Sequence, residues 1–149
     1  MALKTMNEKV ILNRSGYRST GQRLSVLNVL KSEKGHLNAL DVHTALRRKR
    51  RRVSLATVYR TLDLLVRLNL AKKVNVAKGP SVFEFDGQQD ANGEHVHLVC
   101  RECGRVIDAR PPGLSQLLKM KEFLAKKYDF EITHVQITFS GSCVGCKEQ

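Results

Sequence analysis

Two Cys-x-x-Cys units constrain this chain more than any other feature of its sequence. They are Cys100-x-x-Cys103 and Cys143-x-x-Cys146, and together they contain all four cysteines of the 149 residues. In a chain of a reducing compartment, such paired units indicate metal ligands before disulfides, and four thiolates complete a tetrahedral structural Zn²⁺ site. The sequence therefore predicts a zinc site that joins the C-terminal tail to the first strands of the second half.

The start of the chain and its apolar runs argue for a cytoplasmic protein. No apolar run approaches the ~18–20 residues of a membrane span, and the opening residues, MALKTMNEK, lack the apolar segment of a secretory signal. The length of 149 residues, with 42% hydrophobic residues, suits one compact domain or two small ones. We therefore expect a folded cytoplasmic protein that has no membrane partner.

The net charge of +12 is confined to one half of the chain. Residues 1–86 contain 18 Lys and Arg against 6 Asp and Glu, whereas residues 87–149 contain 8 of each kind. This asymmetry predicts that the first half binds a polyanion, with a merely soluble basic surface as the alternative. The densest run, RRKRRR at residues 47–52, is predicted to form a solvated loop or a frayed helix end that contacts phosphates without reading sequence.

The basic half follows the pattern of a winged-helix domain. One short helix is predicted over residues 3–15, and three further helices are predicted to begin after the capping residues Thr20, Asn38 and Ser54. After Leu70 the apolar period changes to two, and a turn at residues 78–80 separates two such segments, which predicts a hairpin. Residues 1–86 are therefore predicted to form a winged-helix DNA-binding domain.

The helix after Ser54 is the predicted recognition helix. Thr57, Tyr59 and Arg60 lie on the face opposite its apolar stripe, where such side chains contact base edges or phosphates in the major groove. The alternative is that Tyr59 packs on the wing and Arg60 is simply solvated. The charge imbalance favours binding of nucleic acid.

The second half predicts a small α+β domain. Residues 87–93 are polar and rich in turn formers, which indicates a hinge. Residues 94–149 then offer strands near 95–100 and 105–109, a helix opened by Pro111-Pro112, and a strand that carries Val135, Ile137 and Phe139 on one face. The whole chain is thus expected to be an α+β protein of two domains.

A second metal site is suggested by His95-Val96-His97, just before the first cysteine unit. On a strand, the two imidazoles face the same side about 6.6 Å apart along the backbone, so that one ion can bind both. His36, Glu84 and Asp108 are further candidate donors. Such a mixed nitrogen and oxygen set suits Fe²⁺, Mn²⁺ or Zn²⁺, and affinity order alone does not choose among them.

The chain resembles the ferric uptake regulator (Fur) family of bacterial metal-dependent repressors over nearly its whole length. The matching segments are TGQR at 20–23, SLATVYR at 54–60, VFEF at 82–85, HVHLVCRECG at 95–104 and CVGC at 143–146. The resemblance implies a winged-helix domain, a dimerisation domain, and a homodimer that represses transcription from a palindromic operator in duplex DNA.

The resemblance also implies roles for individual residues. The four cysteines match the family's structural zinc site. The regulatory site, for Fe²⁺ or Mn²⁺ with Zn²⁺ as the alternative, would lie between the domains and comprise His36, Glu84, His95, His97 and Asp108. The DNA contacts would comprise Arg18, which matches a residue that reaches the minor groove, together with Arg23, Thr57, Tyr59 and Arg60.

Asp108 matches an aspartate that the peroxide-sensing branch of the family adds as a ligand. In that branch peroxide oxidises histidines bound to iron, which would be His36 and His95 here. Two departures bear on the assignment: Glu84 stands where that branch more often has Asp, and Val96 replaces a carboxylate of an additional site, of which His134 and Glu94 could remain. We expect a peroxide- or iron-responsive repressor, with an iron- or zinc-uptake regulator as the alternative.

Two other classes of protein fit the sequence less well. A zinc hydrolase or deaminase could use His95 and His97 as ligands and Glu84 or Glu94 as base, but the chain lacks an H-x-E with a following P-C-x-x-C, and four thiolates leave zinc no open position. A zinc-ribbon RNA-binding protein would be basic throughout and rich in stacking aromatics, whereas aromatic residues make up 5% here. We therefore expect neither an enzyme nor a small organic substrate.

Overall fold

The computed structural model describes residues 8–33, 35–86, 95–132 and 135–147. The chain divides into two compact units, of which the first is Met1–Asn75 with Pro80–Gln89 and the second is Val76–Gly79 with Asp90–Gln149. The predicted hinge at residues 87–93 lies outside the described residues, as do Glu94 and His134. Within the described ranges, no helix is long and apolar enough to cross a membrane.

Four helices form most of the first unit: α1 (Glu8–Arg14), α2 (Gly21–Ser32), α3 (Ala39–Arg48) and α4 (Leu55–Arg67). The last three begin where the capping residues predict. The Thr20 and Ser54 hydroxyls each accept a hydrogen bond from a backbone N–H three residues later, and Asn38 forms a reciprocal capping box with Asp41. Because these bonds are local, the sequence alone located the helix starts.

A three-stranded sheet completes the first unit and forms its wing. Strands β2 (Ala71–Val74) and β3 (Val82–Phe85) are the predicted hairpin, although the first strand ends before Val76. A third strand, β1 (Leu37–Asn38), pairs with the other side of β3 and gives the antiparallel order β1-β3-β2. Two residues are too few to show a period of two, so the sequence did not predict β1.

The core of the first unit is continuous across its helices and wing. Val58, Leu62 and Leu65 on α4 are fully buried, as the apolar stripe predicts, and they belong to one cluster with Val26 of α2 and Phe83 of β3. Burial of each large aliphatic side chain contributes about 1.5–3 kcal/mol to stability. This packing holds the opposite face of α4 towards solvent.

Three helices of the first unit end in the same Schellman motif, but with different residues in the left-handed position. Gly16 (φ 78°) ends α1, Asn69 (φ 54°) ends α4 and Arg50 (φ 53°) ends α3. Glycine and asparagine are the usual residues at this position, whereas for other L-residues the left-handed conformation costs roughly 1–2 kcal/mol. Arg50 therefore holds a strained backbone where glycine would hold none.

Within its described residues, the second unit contains a three-stranded sheet and two helices. Its elements are β4 (Val96–Cys100), β5 (Val106–Ala109), α5 (Leu114–Lys127), β6 (Thr138–Gly141) and α6 (Val144–Lys147). The sheet order is β5-β4-β6, with β5 antiparallel and β6 parallel to β4. The last predicted strand thus begins only at Thr138, and the single-turn helix α6 was not predicted because four residues are too few to show a helical period.

Burial in the second unit is confined to its central strand. Among its described residues, only Val96, His97, Val99 and Cys100 are buried, and all four lie on β4. Large apolar side chains are exposed instead on the strands, on α5 and in the segments that follow it: Leu98, Ile107, Met120, Phe123, Leu124, Tyr128, Phe130, Val135, Phe139 and Val144. Apolar surface of this extent is typical of a face covered by another molecule.

Candidate metal sites and nucleic-acid interface

The four cysteines converge on one point of the second unit. Cys100 ends β4, Cys103 lies in the following turn, and Cys143 and Cys146 flank the start of α6. All four Sγ atoms lie within 4.8 Å of one another. The Cys103 and Cys143 Sγ atoms are 3.8 Å apart, which equals the edge of a tetrahedron whose Zn–S bonds are about 2.3 Å long. The geometry therefore fits a structural Zn²⁺ ion.

Backbone hydrogen bonds prepare this cluster for a cation. The N–H groups of Cys103 and then Cys143 lower the pKa of the Cys100 thiol to about 6, and the Cys143 N–H lies 3.4 Å from its sulfur. Hydrogen bonding to Cys143 raises the pKa of Cys146 to about 12. Zn²⁺ requires thiolates, so its binding would release the protons that the cluster holds. Gly104, with φ 73°, provides the backbone reversal that follows the first cysteine pair.

Three of the predicted regulatory ligands meet elsewhere in the second unit. The Nε2 atoms of His95 and His97 are 3.1 Å apart, and Asp108 Oδ1 lies 3.6 Å from the first and 3.7 Å from the second. His97 on β4 is paired in register with Asp108 on β5, which places both side chains on the same face of the sheet. The side chain of His97 is only 2% exposed. We call this group the His95–His97–Asp108 cluster.

The remaining two predicted ligands meet in the first unit. His36 Nε2 lies 3.5 Å from Glu84 Oε2, and both side chains are largely buried, at 10% and 12% exposure. The unpredicted strand β1 explains this contact. Leu37 of β1 pairs with Phe83 of β3, so the antiparallel register places the preceding His36 opposite the following Glu84.

Both groups have the spacing that a bound cation requires. Ligands at 2.0–2.2 Å from a metal lie about 2.8–3.1 Å from one another along the edges of an octahedron and about 3.3–3.6 Å along those of a tetrahedron. The measured separations are 3.1, 3.5, 3.6 and 3.7 Å, so three lie within these values and the longest exceeds them by about 0.1 Å. Imidazole nitrogens with carboxylate oxygens form a donor set that suits Fe²⁺, Mn²⁺ and Zn²⁺.

The predicted DNA-contacting residues cluster around the N-termini of α2 and α4. A depression of about 250 Å³ lies between these helices, and its lining residues include three of the predicted contacts, Arg23, Thr57 and Arg60. The Arg23 guanidinium donates a hydrogen bond to the carbonyl of the exposed Arg18, at 2.7 Å. The Tyr59 side chain is 46% exposed, so it is available to a ligand. None of the described residues that line the depression carries a carboxylate.

Comparison with known proteins identifies similar sequences. The profile of the Ferric uptake regulator family matches residues 14–140. The chain is 36% identical over 136 residues to the ferric uptake regulation protein of Bacillus subtilis, which covers 91% of this chain and 89% of that protein. It is 28% identical over 138 residues to the peroxide-responsive repressor PerR of Staphylococcus epidermidis, with coverage of 93% and 87% respectively.

Comparison with solved structures gives the same result for the fold. The ferric uptake regulator of Pseudomonas aeruginosa, solved with manganese, is similar to this chain with a TM-score of 0.73 and 28% identity. The match covers 93% of this chain and 99% of the other. The similarity therefore extends over most of the chain and includes parts of both units.

Proposed function

This chain belongs to the ferric uptake regulator family, and from that membership we propose that a divalent ion controls its DNA binding through His36, Glu84, His95, His97 and Asp108. Proteins of this family are dimeric, metal-responsive repressors that bind DNA, so the chain is a transcriptional regulator and not an enzyme. The proposal places the protein in the cytoplasm, where its DNA lies.

The His95–His97–Asp108 cluster is the observation that carries the regulatory site. Its three ligand atoms lie within 3.7 Å of one another without belonging to the cysteine cluster. Two imidazoles and a carboxylate provide only three donors, fewer than the four to six that Zn²⁺, Mn²⁺ or Fe²⁺ accepts. In this proposal the His36–Glu84 pair of the first unit supplies the missing donors.

An ion shared by the two units would act as a switch. It stabilises only those arrangements of the units in which all five donors reach it, and we expect that arrangement to match two recognition helices to successive parts of a palindrome. A shift from mostly open to mostly closed needs a differential affinity of ~5 kcal/mol, which a few coordinate bonds made only in the closed form supply. Without the ion, the five residues would no longer hold this arrangement, and the DNA would be released.

The DNA itself is bound, in this proposal, by the face formed by α2 and α4. Arg60 and Tyr59 project from the first turns of α4, and Thr57 and Arg23 line the adjoining depression. Arg18, held near Arg23, is assigned to the minor groove beside the wing. These assignments rest on position, exposure and charge.

A double substitution tests the switch. His95→Ala/His97→Ala, with its zinc retained, is expected to bind operator DNA with an affinity that no longer responds to Mn²⁺ or Fe²⁺. Asp108→Ala should show a weaker form of the same loss. Glu122→Ala, which removes an exposed carboxylate from α5, is the matched control and should respond to metal as the native protein does. Native metal dependence in the double variant would refute the switch.

The finer proposal is that the signal is peroxide, sensed through iron. Asp108 supports it, because its carboxylate lies within 3.7 Å of both histidine nitrogens. On this proposal peroxide adds one oxygen atom to His36 or His95, and the other oxygen leaves as water. An oxidised imidazole no longer binds the ion as before, so DNA binding falls.

Peroxide sensing and metal-level sensing are separated by one measurement. Protein loaded anaerobically with Fe²⁺ or Mn²⁺ is treated with peroxide and digested, and the peptides are weighed. Gain of one oxygen on His36 or His95 in the Fe²⁺ sample alone, with loss of DNA binding, supports peroxide sensing. Unmodified histidines with DNA binding that follows metal concentration would favour the uptake regulator, which the 36% identity to the Bacillus subtilis protein also supports.

A further inference from the structure

The arginine-rich turn between α3 and α4 forms a surface of its own. We call residues 47–52 the basic turn. A depression of about 790 Å³ is lined by Arg47, Arg50, Arg51, Arg52, His43, Val53 and Ser54, with no carboxylate among them. Lys49 is turned away from it, because its Nζ lies 2.8 Å from Ser32 Oγ and 3.8 Å from Glu33 Oε1 at the end of α2. Four guanidinium groups therefore share one solvent-filled space.

The basic turn has an arginine, Arg50, at a backbone position where glycine would be less strained. Arg50 adopts φ 53° in a motif whose other two copies in this unit use Gly16 and Asn69. Glycine at this position would relieve the strain but remove one of the four guanidinium groups. Strained residues of this kind tend to lie at functional sites, where the surroundings hold them in place.

The basic turn is continuous with the predicted DNA-binding face. The Gln22 side chain, which lines the depression between α2 and α4, donates a hydrogen bond to the carbonyl of Arg52 at 3.5 Å. The Ser54 and Thr57 hydroxyls, one from each depression, lie 2.9 Å apart. Arg23 and Arg60 therefore extend the same cationic surface past the N-terminus of α4.

We propose that the basic turn binds the phosphate backbone of duplex DNA beside the stretch that α4 reads, and supplies affinity that does not depend on sequence. A guanidinium group binds phosphate through two parallel hydrogen bonds, and each neutralised phosphate releases condensed counterions. Adjacent phosphates repeat along the duplex, which matches a row of arginines better than it matches a single small anion. The proposal rests on the proposed function only in taking duplex DNA as the partner, and it needs no bound regulatory ion.

A salt titration with a random-sequence duplex of ~30 base pairs tests the proposal, because that probe removes sequence reading. Arg51→Gln/Arg52→Gln removes two exposed charges and is expected to lower the slope of log affinity against log salt by about 2, and the affinity at 0.1 M salt at least about tenfold. The matched control is Lys31→Gln/Arg67→Gln, which removes the same charge from the last turns of α2 and α4. Its slope should stay near the native value.

Arg50→Gly provides a second test, in which weaker DNA binding cannot be attributed to a less stable protein. It should raise the melting temperature, because glycine relieves the left-handed strain, and at the same time weaken binding of the random duplex. Equal slopes in the native and Arg51→Gln/Arg52→Gln proteins, or an equal loss in the control, would overturn the proposal. A single-stranded RNA of the same length serves as a second probe. If Arg51→Gln/Arg52→Gln binds this RNA more weakly but binds the duplex as the native protein does, the proposal is overturned and the turn is assigned to RNA. None of these results depends on His95 or His97, so the metal switch stands or fails separately.

Discussion

The two units of this protein differ in how much of their apolar surface they bury. The first buries a continuous core across four helices and a wing, and its described large apolar residues are exposed only at Val10, Leu40 and Tyr59. In the second, the buried residues of the described part lie on β4 alone, and ten large apolar side chains are exposed. The first unit thus buries its own core, whereas we propose that the second depends on a metal ion and a second chain to cover its exposed apolar side chains.

Helix capping shows the same contrast. In the first unit, α2, α3 and α4 each begin with a side-chain cap. In the second, the N-cap of α5 is Gly113, with φ 86° and no side-chain hydrogen bond. Local signals therefore specify the helices of the first unit more strongly, and the second depends more on long-range contacts such as the parallel pairing of β4 with β6.

Removal of zinc should give the largest loss of stability, and this loss should be confined to the second unit. Structural Zn²⁺ contributes a binding free energy on the order of 10 kcal/mol, most of which is folding free energy. In Cys103→Ser/Cys143→Ser, or after chelation, hydrogen exchange should show β4 and β6 unprotected while α2 and α4 keep their protection. Simultaneous loss of protection in both units would contradict the view that the first is self-contained.

A charge placed on the exposed apolar face should dissociate the dimer. Phe139 on β6 is 56% exposed, and burying an aspartate there at an interface leaves a charge without a partner. We expect Phe139→Asp to raise the dimer Kd by about 1,000-fold, roughly 4 kcal/mol, in sedimentation experiments.

Leu40→Asp is the control for the dimer experiment. Leu40 is 59% exposed on α3 of the first unit, so a charge there stays in contact with water. The control should remain dimeric at the same concentrations. A monomeric control, or a dimeric Phe139→Asp variant, would move the interface away from the apolar face of the second unit.

A cavity in the core should affect the first unit alone. Leu62 is fully buried on α4, and Leu62→Ala should lower the free energy of unfolding of this unit by about 3 kcal/mol. Tyr59→Ala on the exposed face of the same helix should change it by less than about 0.5 kcal/mol while it weakens DNA binding. Denaturant unfolding followed by circular dichroism measures the stability of both variants. If Tyr59→Ala destabilised the protein as much as Leu62→Ala does, the assignment of Tyr59 to the DNA-binding face would be contradicted.

Loss of a helix cap should give the smallest effect. Ser54→Ala leaves the Thr57 N–H without its acceptor and should cost about 1 kcal/mol of stability. Ser54→Asn keeps a capping oxygen and should stay close to the native protein in the same unfolding experiment. A Ser54→Ala variant as stable as the native protein would show that tertiary packing, and not the cap, sets the start of α4.

The residues of the candidate sites were predictable to the extent that their signals are local. The spacing of Cys100 and Cys103 is that of a tight turn, and His95 and His97 are two residues apart at the start of β4, so the sequence predicted both pairs directly. Asp108 and Glu84 entered as further candidate donors, and family resemblance gave them their roles. The contact of His36 with Glu84 depends on the register of β1 with β3, and no pattern within a few residues encodes that pairing.

By itself, the sequence determined the helix N-caps at Thr20, Asn38 and Ser54, the wing hairpin and the two Cys-x-x-Cys units. Each depends on interactions among residues that are close along the chain, so the residue types and their spacing in the sequence are sufficient to predict it. Only the tertiary structure decided that β1 places His36 against Glu84, that the arginines of the basic turn share one depression, and that the second unit leaves its apolar face open. Those features depend on which distant segments pack together, because burial and register are properties of the whole fold.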